Sequence, residues 1–537
     1  MNGTYSIAVI CLVCLAYASA GNILFLSLLP AASHHVWNEA VVQALLSKGH
    51  NITLLGHERT HLKLDNYTVL EIEGFHDTRD KSIDAASLFK LNSIQHIFRL
   101  WDFNVEVCEH DFKSTALKNL MNYSRDTFDL IIFDLNAGQC LYPLIEYFNN
   151  PPVVGVSPFG IPPFIADVMG NHIYPYIPFY TLPYSDRMSF WQRFHNVMLQ
   201  ALENVVKWCF YMPDFYRKAQ KYFGEDILCF HEVERSIGLL LTNNDPVFDF
   251  PQPFPPNIIP VGGLHIKRDT RLPEELLEIV EASKHEELLE IVEASKHGVI
   301  YFSFGSDKGQ LPSDDFKNIL MPAFSKLNQT VLLASENVDL NVSCILNVSK
   351  NVIVRKSFPR SDILAHTNTK LFITHGDSLS IQEAMYHGVP VIGIPLFGDQ
   401  HSNLAKIVNK NLGKKLSYFN LGDQLVYDTV LEVIYNPIYE QNMKELAKKF
   451  RDQPQTPSDR AVFWIEYALR NKNLSHLNIA AKYMRFYETM SLDIGVVALL
   501  CVCLLVYSLH TIYQLILRGV QASPKVKKRS RSKQKKI

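Results

Sequence analysis

Charge of one sign is the first thing this chain lacks. Across 537 residues, 52 Lys and Arg face 54 Asp and Glu, for a formal charge of −2. No basic field of the kind nucleic acids require is present, so no nucleic-acid partner is expected. Cysteine is sparse where it could build a framework. Of nine cysteines, Cys11, Cys14, Cys501 and Cys503 sit in apolar segments. The others (Cys108, Cys140, Cys209, Cys229 and Cys344) show no C-x-x-C spacing, which excludes a zinc ribbon and a dense disulfide scaffold. One disulfide can form among them, and spacing does not say which. No carboxylate pair calls for a divalent ion, so no metal is expected.

Long apolar runs are equally scarce, and both lie at the ends. Residues 5–20, YSIAVICLVCLAYASA, close on Ala18-Ser19-Ala20, a small-residue cleavage site, so residues 1–20 read as a signal peptide. The second run, 494–517, exceeds the roughly 20 residues needed to cross a bilayer. The basic tail at 518–537 places its own side in the cytosol by the positive-inside rule. The expected topology is single-pass type I, with nearly all the mass in the lumen. Lys533 and Lys535 resemble a dilysine retrieval signal to the endoplasmic reticulum, although they also suit a plain stop-transfer flank. Sequons beginning at Asn51, Asn66, Asn122, Asn328, Asn341, Asn347 and Asn473 fit a secretory route.

What is there reads as two α/β halves. Asn22 to Leu29 is a buried-strand run. A helix near Trp37 to Lys48 follows it, with Gly49 as the stop and a second strand at Ile52 to Leu55. That β-α-β opening predicts a parallel, doubly wound sheet over 21–250. Residues 158–222 are rich in Tyr, Phe, Trp and Pro, suited to an acceptor pocket, a membrane surface or a helical core. Prolines 251, 253, 255, 256 and 260 mark a semi-rigid connector that opens a linker at 251–297. The second half starts at GVIYFSFGS (298–306) and runs to 445, with helices and a stalk at 446–493. Within the linker, EELLEIVEASKH stands twice in succession, at 274–285 and 286–297. Two identical copies read as an in-frame duplication, because a repeat domain needs several diverged units.

Residues 371–403 carry the most chemistry. Leu371 to Thr374 suits a buried strand, His375-Gly376 a turn and Ser378 to Tyr386 a helix. Gly388 stops that helix, and Val389 to Pro395 suits another strand. A strand feeding a helix through small residues aims backbone N–H groups and a positive dipole end at one spot, a natural diphosphate site.

This segment resembles the donor signature of the UDP-glycosyltransferases, which read W-x-P-Q-x-D-x-L-x-H, then H-G-G-x-x-S-x-x-E, then D-Q. Pro359, Asp362, Leu364, His366, His375, Gly376, Ser380, Glu383, Asp399 and Gln400 match. Ser357 stands at the tryptophan, Arg360 at the glutamine and Asp377 at the second glycine. The resemblance implies an α/β fold of GT-B architecture, two facing Rossmann-like domains with a C-terminal transmembrane helix. It implies inverting transfer of a hexose, glucose by preference, from a UDP-sugar to a hydroxyl of a small lipophilic acceptor. The UDP-sugar is a co-substrate and no cofactor is expected; the membrane is a further partner, and a homo- or hetero-oligomer remains open. By resemblance, Gly305, Ser306, His375 and Gly376 meet the phosphates. Ser380 lies in the same turn, Glu383 takes the ribose, and Asp399 and Gln400 take the sugar.

The catalytic base implied by the family is the histidine of a Ser-His pair before a helix ending in R-G-H. Ser33-His34 and Lys48-Gly49-His50 fit, so His34 is the base, with His35 the alternative. Asp134, at the end of the strand FDLIIFD, is the carboxylate that orients it, ahead of Asp129. The departures predict a weaker donor site: Ser357 offers no stacking platform, and Asp377 brings a like charge to the phosphates and suits a helix N-cap. The alternative reading is a weakened member that binds lipophiles or partner subunits.

Overall fold

The computed structural model describes residues 20–60, 62–75, 89–171, 174–266, 290–304, 314–334 and 349–522. The expected signal peptide, Gly305, Ser306, Cys344, the first copy of the duplicated segment and most of the basic tail lie outside the described residues.

Seven parallel strands form the first sheet: β1 (Asn22–Ser27), β2 (Asn51–Gly56), β3 (Tyr67–Glu71), β4 (Leu130–Asp134), β5 (Val153–Ser157), β6 (Ile237–Thr242) and β7 (Ile258–Pro260). Their order is 3-2-1-4-5-6-7. The second sheet is built from β8 (Val299–Ser303), β9 (Thr330–Ala334), β10 (Val352–Arg355), β11 (Thr369–Thr374), β12 (Val391–Gly393) and β13 (Gly413–Lys415), in the order 10-9-8-11-12-13. Both orders reverse at the first strand of the half, beside β1 and beside β8. Ligands of open α/β sheets bind beyond the carboxyl ends of the strands at such a reversal.

The central strands are buried and mostly apolar because both faces of each sheet are covered, whereas the edge strands β3, β10 and β13 are partly open and carry Glu71, Arg355 and Lys414. Along β1 the side chains alternate. Ile23 and Phe25 pack against Trp37, Val41 and Leu45 of helix α1 (Ala32–Ser47), whereas Leu24 and Leu26 belong to the opposite layer with Trp101 of helix α2 (Ser93–Asp111). In the second half, helix α3 (Ser378–His387) follows β11 and helix α4 (Gln400–Asn409) follows β12. Helix α5 (Pro457–Asn471) returns to the first half, where Ala461, Val462, Ile465 and Ala468 join the α1 layer. His50 and Glu466 meet across that seam at 3.4 Å.

Direct bonds join the halves at α3. Gln382 is fully buried; its Oε1 accepts from Gly263 N at 3.1 Å and its Nε2 donates to Asn243 O at 3.3 Å. Leu379 is buried in the α1 layer of the first half. The duplicated segment docks through its second copy, where residues 290–294 are helical and Val292 is buried. Asn368 Nδ2 donates to the carbonyls of Val292 and Ser295 at 2.7 and 2.8 Å.

Residues 483–537 form a separate unit. It contains a helix from Leu492 to Ala522, of which Leu492–Gly519 has mean hydropathy 2.5. At about 1.5 Å per residue this helix exceeds the roughly 30 Å of a hydrocarbon core, and it fits a membrane anchor slightly longer than the 494–517 read from composition.

Candidate active site

His34 and Asp134 meet as expected. His34 lies in the first turn of α1, directly after β1, and Asp134 is the last residue of the neighbouring β4. His34 Nδ1 and Asp134 Oδ2 are 3.2 Å apart, in burial that leaves Asp134 no solvent exposure. Neutral groups hold the carboxylate. Asn38, one turn along α1, donates to Oδ2 at 3.1 Å and to Ser27 Oγ at 2.9 Å. Asn136 donates to Oδ1 through its backbone at 3.1 Å and its side chain at 2.8 Å. Burial pushes the Asp134 carboxyl up, but His34 and Asn136 outweigh it and hold the pKa below its ordinary value. The imidazole is thereby fixed by its Nδ1 edge, and Nε2 has no hydrogen-bond partner among the described residues. His35 instead faces Glu39 at 3.4 Å, and Asp129 Oδ2 accepts from Asn22 N at the other end of the sheet.

The loop after Asp134 is braced from α2. Asn104 donates to Asn136 O at 3.2 Å, and Cys108 forms a disulfide with Cys140. Asn38 and Asn136 were missed by sequence reasoning. The signal for Asn38 was its place four residues after His34 on the same helical face.

The His375-Gly376 turn is equally ordered. Gly376 has φ of +96°, and a Cβ there would lie 2.8 Å from Leu404, so the turn needs glycine. Asp377 caps α3 as its residue type predicts, Oδ2 accepting from Ser380 N at 3.1 Å. His375 Nε2 stands 3.3 Å from Asp377 Oδ1. Burial pushes the Asp377 carboxyl up, but His375 and then Arg360 outweigh it, and the pKa falls below its ordinary value.

Arg360 does more than neutralise Asp377. Its Nε and Nη2 fork onto Glu383 at 3.0 and 2.7 Å, and Nη1 donates to Ser380 Oγ at 2.7 Å. The carboxylate and hydroxyl that the donor signature offers therefore already carry a guanidinium. Ser357 is solvent-exposed, while Phe358 turns into the core against Tyr301. Asn403 donates to Asp399 Oδ2 at 2.7 Å. Burial and then the Asp377 charge push the Asp399 carboxyl up to about 6, against Asn403 and Lys406. Gln400 Oε1 accepts from Leu396 N and Phe397 N at 2.7 and 3.1 Å, so its carbonyl supports the loop.

A cleft opens between the halves. Phe159, Tyr174, Ile177, Phe179 and Tyr180 of the aromatic segment line one wall, and Ser378, Asp399, Ser402, Asn403 and Lys406 the other. Of the predicted site residues among the described ones, only Asp399 lies in its wall. Tyr180 donates to Glu203 at 2.6 Å, and burial pushes the Glu203 carboxyl up to about 8. Helix Phe190–Val206, which carries Glu203, also exposes Phe190, Trp191, Phe194 and Met198. The structure thus forms two clusters, His34 with Asp134 and Arg360 with Ser380, Glu383 and the His375–Asp377 turn, joined by no direct hydrogen bond among the described residues.

Residues 24–529 match the family described as UDP-glucoronosyl and UDP-glucosyl transferase. UDP-glycosyltransferase UGT5 of Dactylopius coccus is 29% identical over 519 residues, covering 95% of this chain and 93% of the relative. Human UDP-glucuronosyltransferase 2B15 is 28% identical over 526 residues, covering 93% and 94%. Among solved structures, a UDP-glucosyltransferase from Polygonum tinctorium superposes with TM-score 0.53 at 14% identity, covering 85% of this chain and all of that one. That likeness bears on the fold, which is GT-B.

Proposed function

Because the chain belongs to the UDP-glucoronosyl and UDP-glucosyl transferase family, and so transfers sugar from a UDP-sugar, we propose that it glucosylates a hydroxyl of a small lipophilic acceptor with inversion. The single observation that carries this reading is the His34–Asp134 pair with Nε2 left to work. His34 Nδ1–H donates to Asp134, so Nε2 takes the acceptor proton. The acceptor oxygen attacks the anomeric carbon, the bond from that carbon to the diphosphate breaks, and UDP leaves with the electron pair. Asp134 stays ionised and stabilises the imidazolium.

The donor's diphosphate faces the His375-Gly376 turn, where the first-turn amides of Ser378 and Leu379 have no partner among the described residues. Gly305 and Ser306 complete the phosphate contacts, Glu383 the ribose contact, and Asp399 with Gln400 the sugar contacts. Glucose is favoured over glucuronic acid because Asp377 and Asp399 already feel each other's charge, and a third carboxylate would add to it. The aromatic wall of the cleft suits a flat lipophile. The enzyme works in the lumen of the endoplasmic reticulum, held by its C-terminal helix, with the exposed aromatic face of Phe190–Val206 resting on the lipid surface.

One observation favours the second reading, a lipophile-binding member with weak turnover: Arg360 occupies Glu383. Incubating the full chain in detergent with UDP-glucose and a phenol panel separates the two. Release of UDP with glucoside formation, lost in His34→Gln, supports the transferase. Saturable phenol binding without donor binding at millimolar UDP-glucose supports the other reading and overturns the first.

A further inference from the structure

We propose that His57, His110 and Asp111 form a binding site for one divalent transition-metal ion, zinc by its ligand set, which fastens the end of α2 to the sheet. His57 directly follows β2, and His110 and Asp111 are the last two residues of α2. One candidate ligand atom from each lies within 4.8 Å of the other two. Asp111 Oδ1 is 3.0 Å from His57 Nε2 and 4.0 Å from His110 Nδ1. Zinc bonds of about 2.0–2.2 Å in a tetrahedron set ligand atoms about 3.3 Å apart, so small side-chain rotations suffice.

The second observation is that these polar atoms are buried and unused. His57 and Asp111 have no side-chain exposure. Both ring nitrogens of His57, Nδ1 of His110 and both oxygens of Asp111 lack a hydrogen-bond partner among the described residues. At 3.0 Å the His57–Asp111 contact is close without being aligned as a hydrogen bond. Buried polar atoms are normally paired, and here one unpaired ligand atom from each of three residues converges on the same point, which calls for a common partner.

The pattern along α2 shows how unusual Asp111 is. The buried face of this helix runs Ile97, Trp101, Asn104, Val107, Cys108, Asp111. Asn104 on that stripe has its partner in Asn136, and Cys108 is bonded to Cys140, whereas the Asp111 carboxylate ends the stripe with nothing but the two imidazoles. Two imidazoles and a carboxylate suit zinc, cobalt or iron rather than magnesium or calcium, which prefer oxygen cages. The rings of Phe75 and His57 stand 5.2 Å apart, and those of Phe75 and His110 5.3 Å, so the site has an aromatic wall and a structural rather than substrate-binding character.

The test uses the untagged full chain in detergent, stripped with a chelator and titrated with Co²⁺ and then Zn²⁺. Expected is one equivalent of Co²⁺ with the intense visible bands of a tetrahedral site, displaced by one equivalent of Zn²⁺, and a Tm that rises with zinc concentration. His110→Asn, at the least buried ligand, should lose the band and weaken binding at least tenfold. The absence of a saturable band in the folded wild-type chain overturns the proposal and leaves His57 and Asp111 a buried ion pair. Full retention of the band in His110→Asn overturns it as well.

Discussion

Asp134 in the first half and Glu383 in the second are both buried carboxylates, and they differ in what holds them. Asp134 is held by neutral amides from Asn38 and Asn136, and its one cationic neighbour is the imidazole it is meant to serve. Glu383 is held by a guanidinium through a two-pronged ion pair. The first arrangement keeps the charge available, because neutral donors orient a carboxylate without cancelling it. The second consumes the charge before a ligand arrives. On the proposed assignment a ribose shares Glu383 with Arg360 or displaces it, and breaking a buried pair costs about 3–5 kcal/mol. Catalytic readiness and donor readiness are thus built to different standards in one molecule.

The comparison can be broken most sharply at its ready end. His34→Gln should lower kcat/KM by about a thousandfold while leaving the Kd for UDP-glucose unchanged. A loss under tenfold would mean that the first half is not the chemical half. Next comes Ser357→Trp, which restores a stacking platform at an exposed position. Stacking worth about 1–3 kcal/mol should tighten UDP roughly ten- to a hundredfold by calorimetry. No change would show that the nucleoside lies elsewhere.

A smaller effect concerns Asp399, raised to about 6 by burial. A carboxylate that accepts sugar hydroxyls must be ionised, so the Kd for UDP-glucose should worsen about tenfold as pH falls from 7 to 5, through the value of 6. Asp399→Asn should flatten that dependence. The smallest change is expected from Asp377→Gly. A bare acid about 5 Å from a phosphate would cost roughly 3 kcal/mol at an effective dielectric of 20. His375 at 3.3 Å and Arg360 already offset much of that charge. Donor affinity should therefore improve only a few-fold, with a few tenths of a kcal/mol lost from the cap.

Both sheets were legible because parallel strands buried on two faces leave short, unbroken apolar runs, such as LIIFD and TKLFIT. His34 and Asp134 were legible because each ends or follows such a run, so topology delivers them to one edge. The Asp377 cap could also be read, since it depends on neighbours in sequence. What escaped depends on side chains that meet across elements. Arg360 reads from sequence only as a substituted glutamine, but it forks onto Glu383, nearly two turns along α3 from Asp377. The choice of Cys108 and Cys140 among the candidate cysteines needed the approach of α2 to the loop after β4. Two identical copies of EELLEIVEASKH carry no difference to read. The second docks because it leads directly into β8, where Val292 can reach the core.

Gln382 bonds to Asn243 at the end of the first half and to Gly263 within the linker, from the helix that begins after the His375-Gly376 turn. Any swing of one half against the other that spares these bonds must take Gln382 as its fulcrum. Asp399 and the His375-Gly376 turn travel together in that swing, because Asn403 donates to both Asp399 Oδ2 and Gly376 O. A donor seated on them would move as one piece, and only its distance from His34 would change.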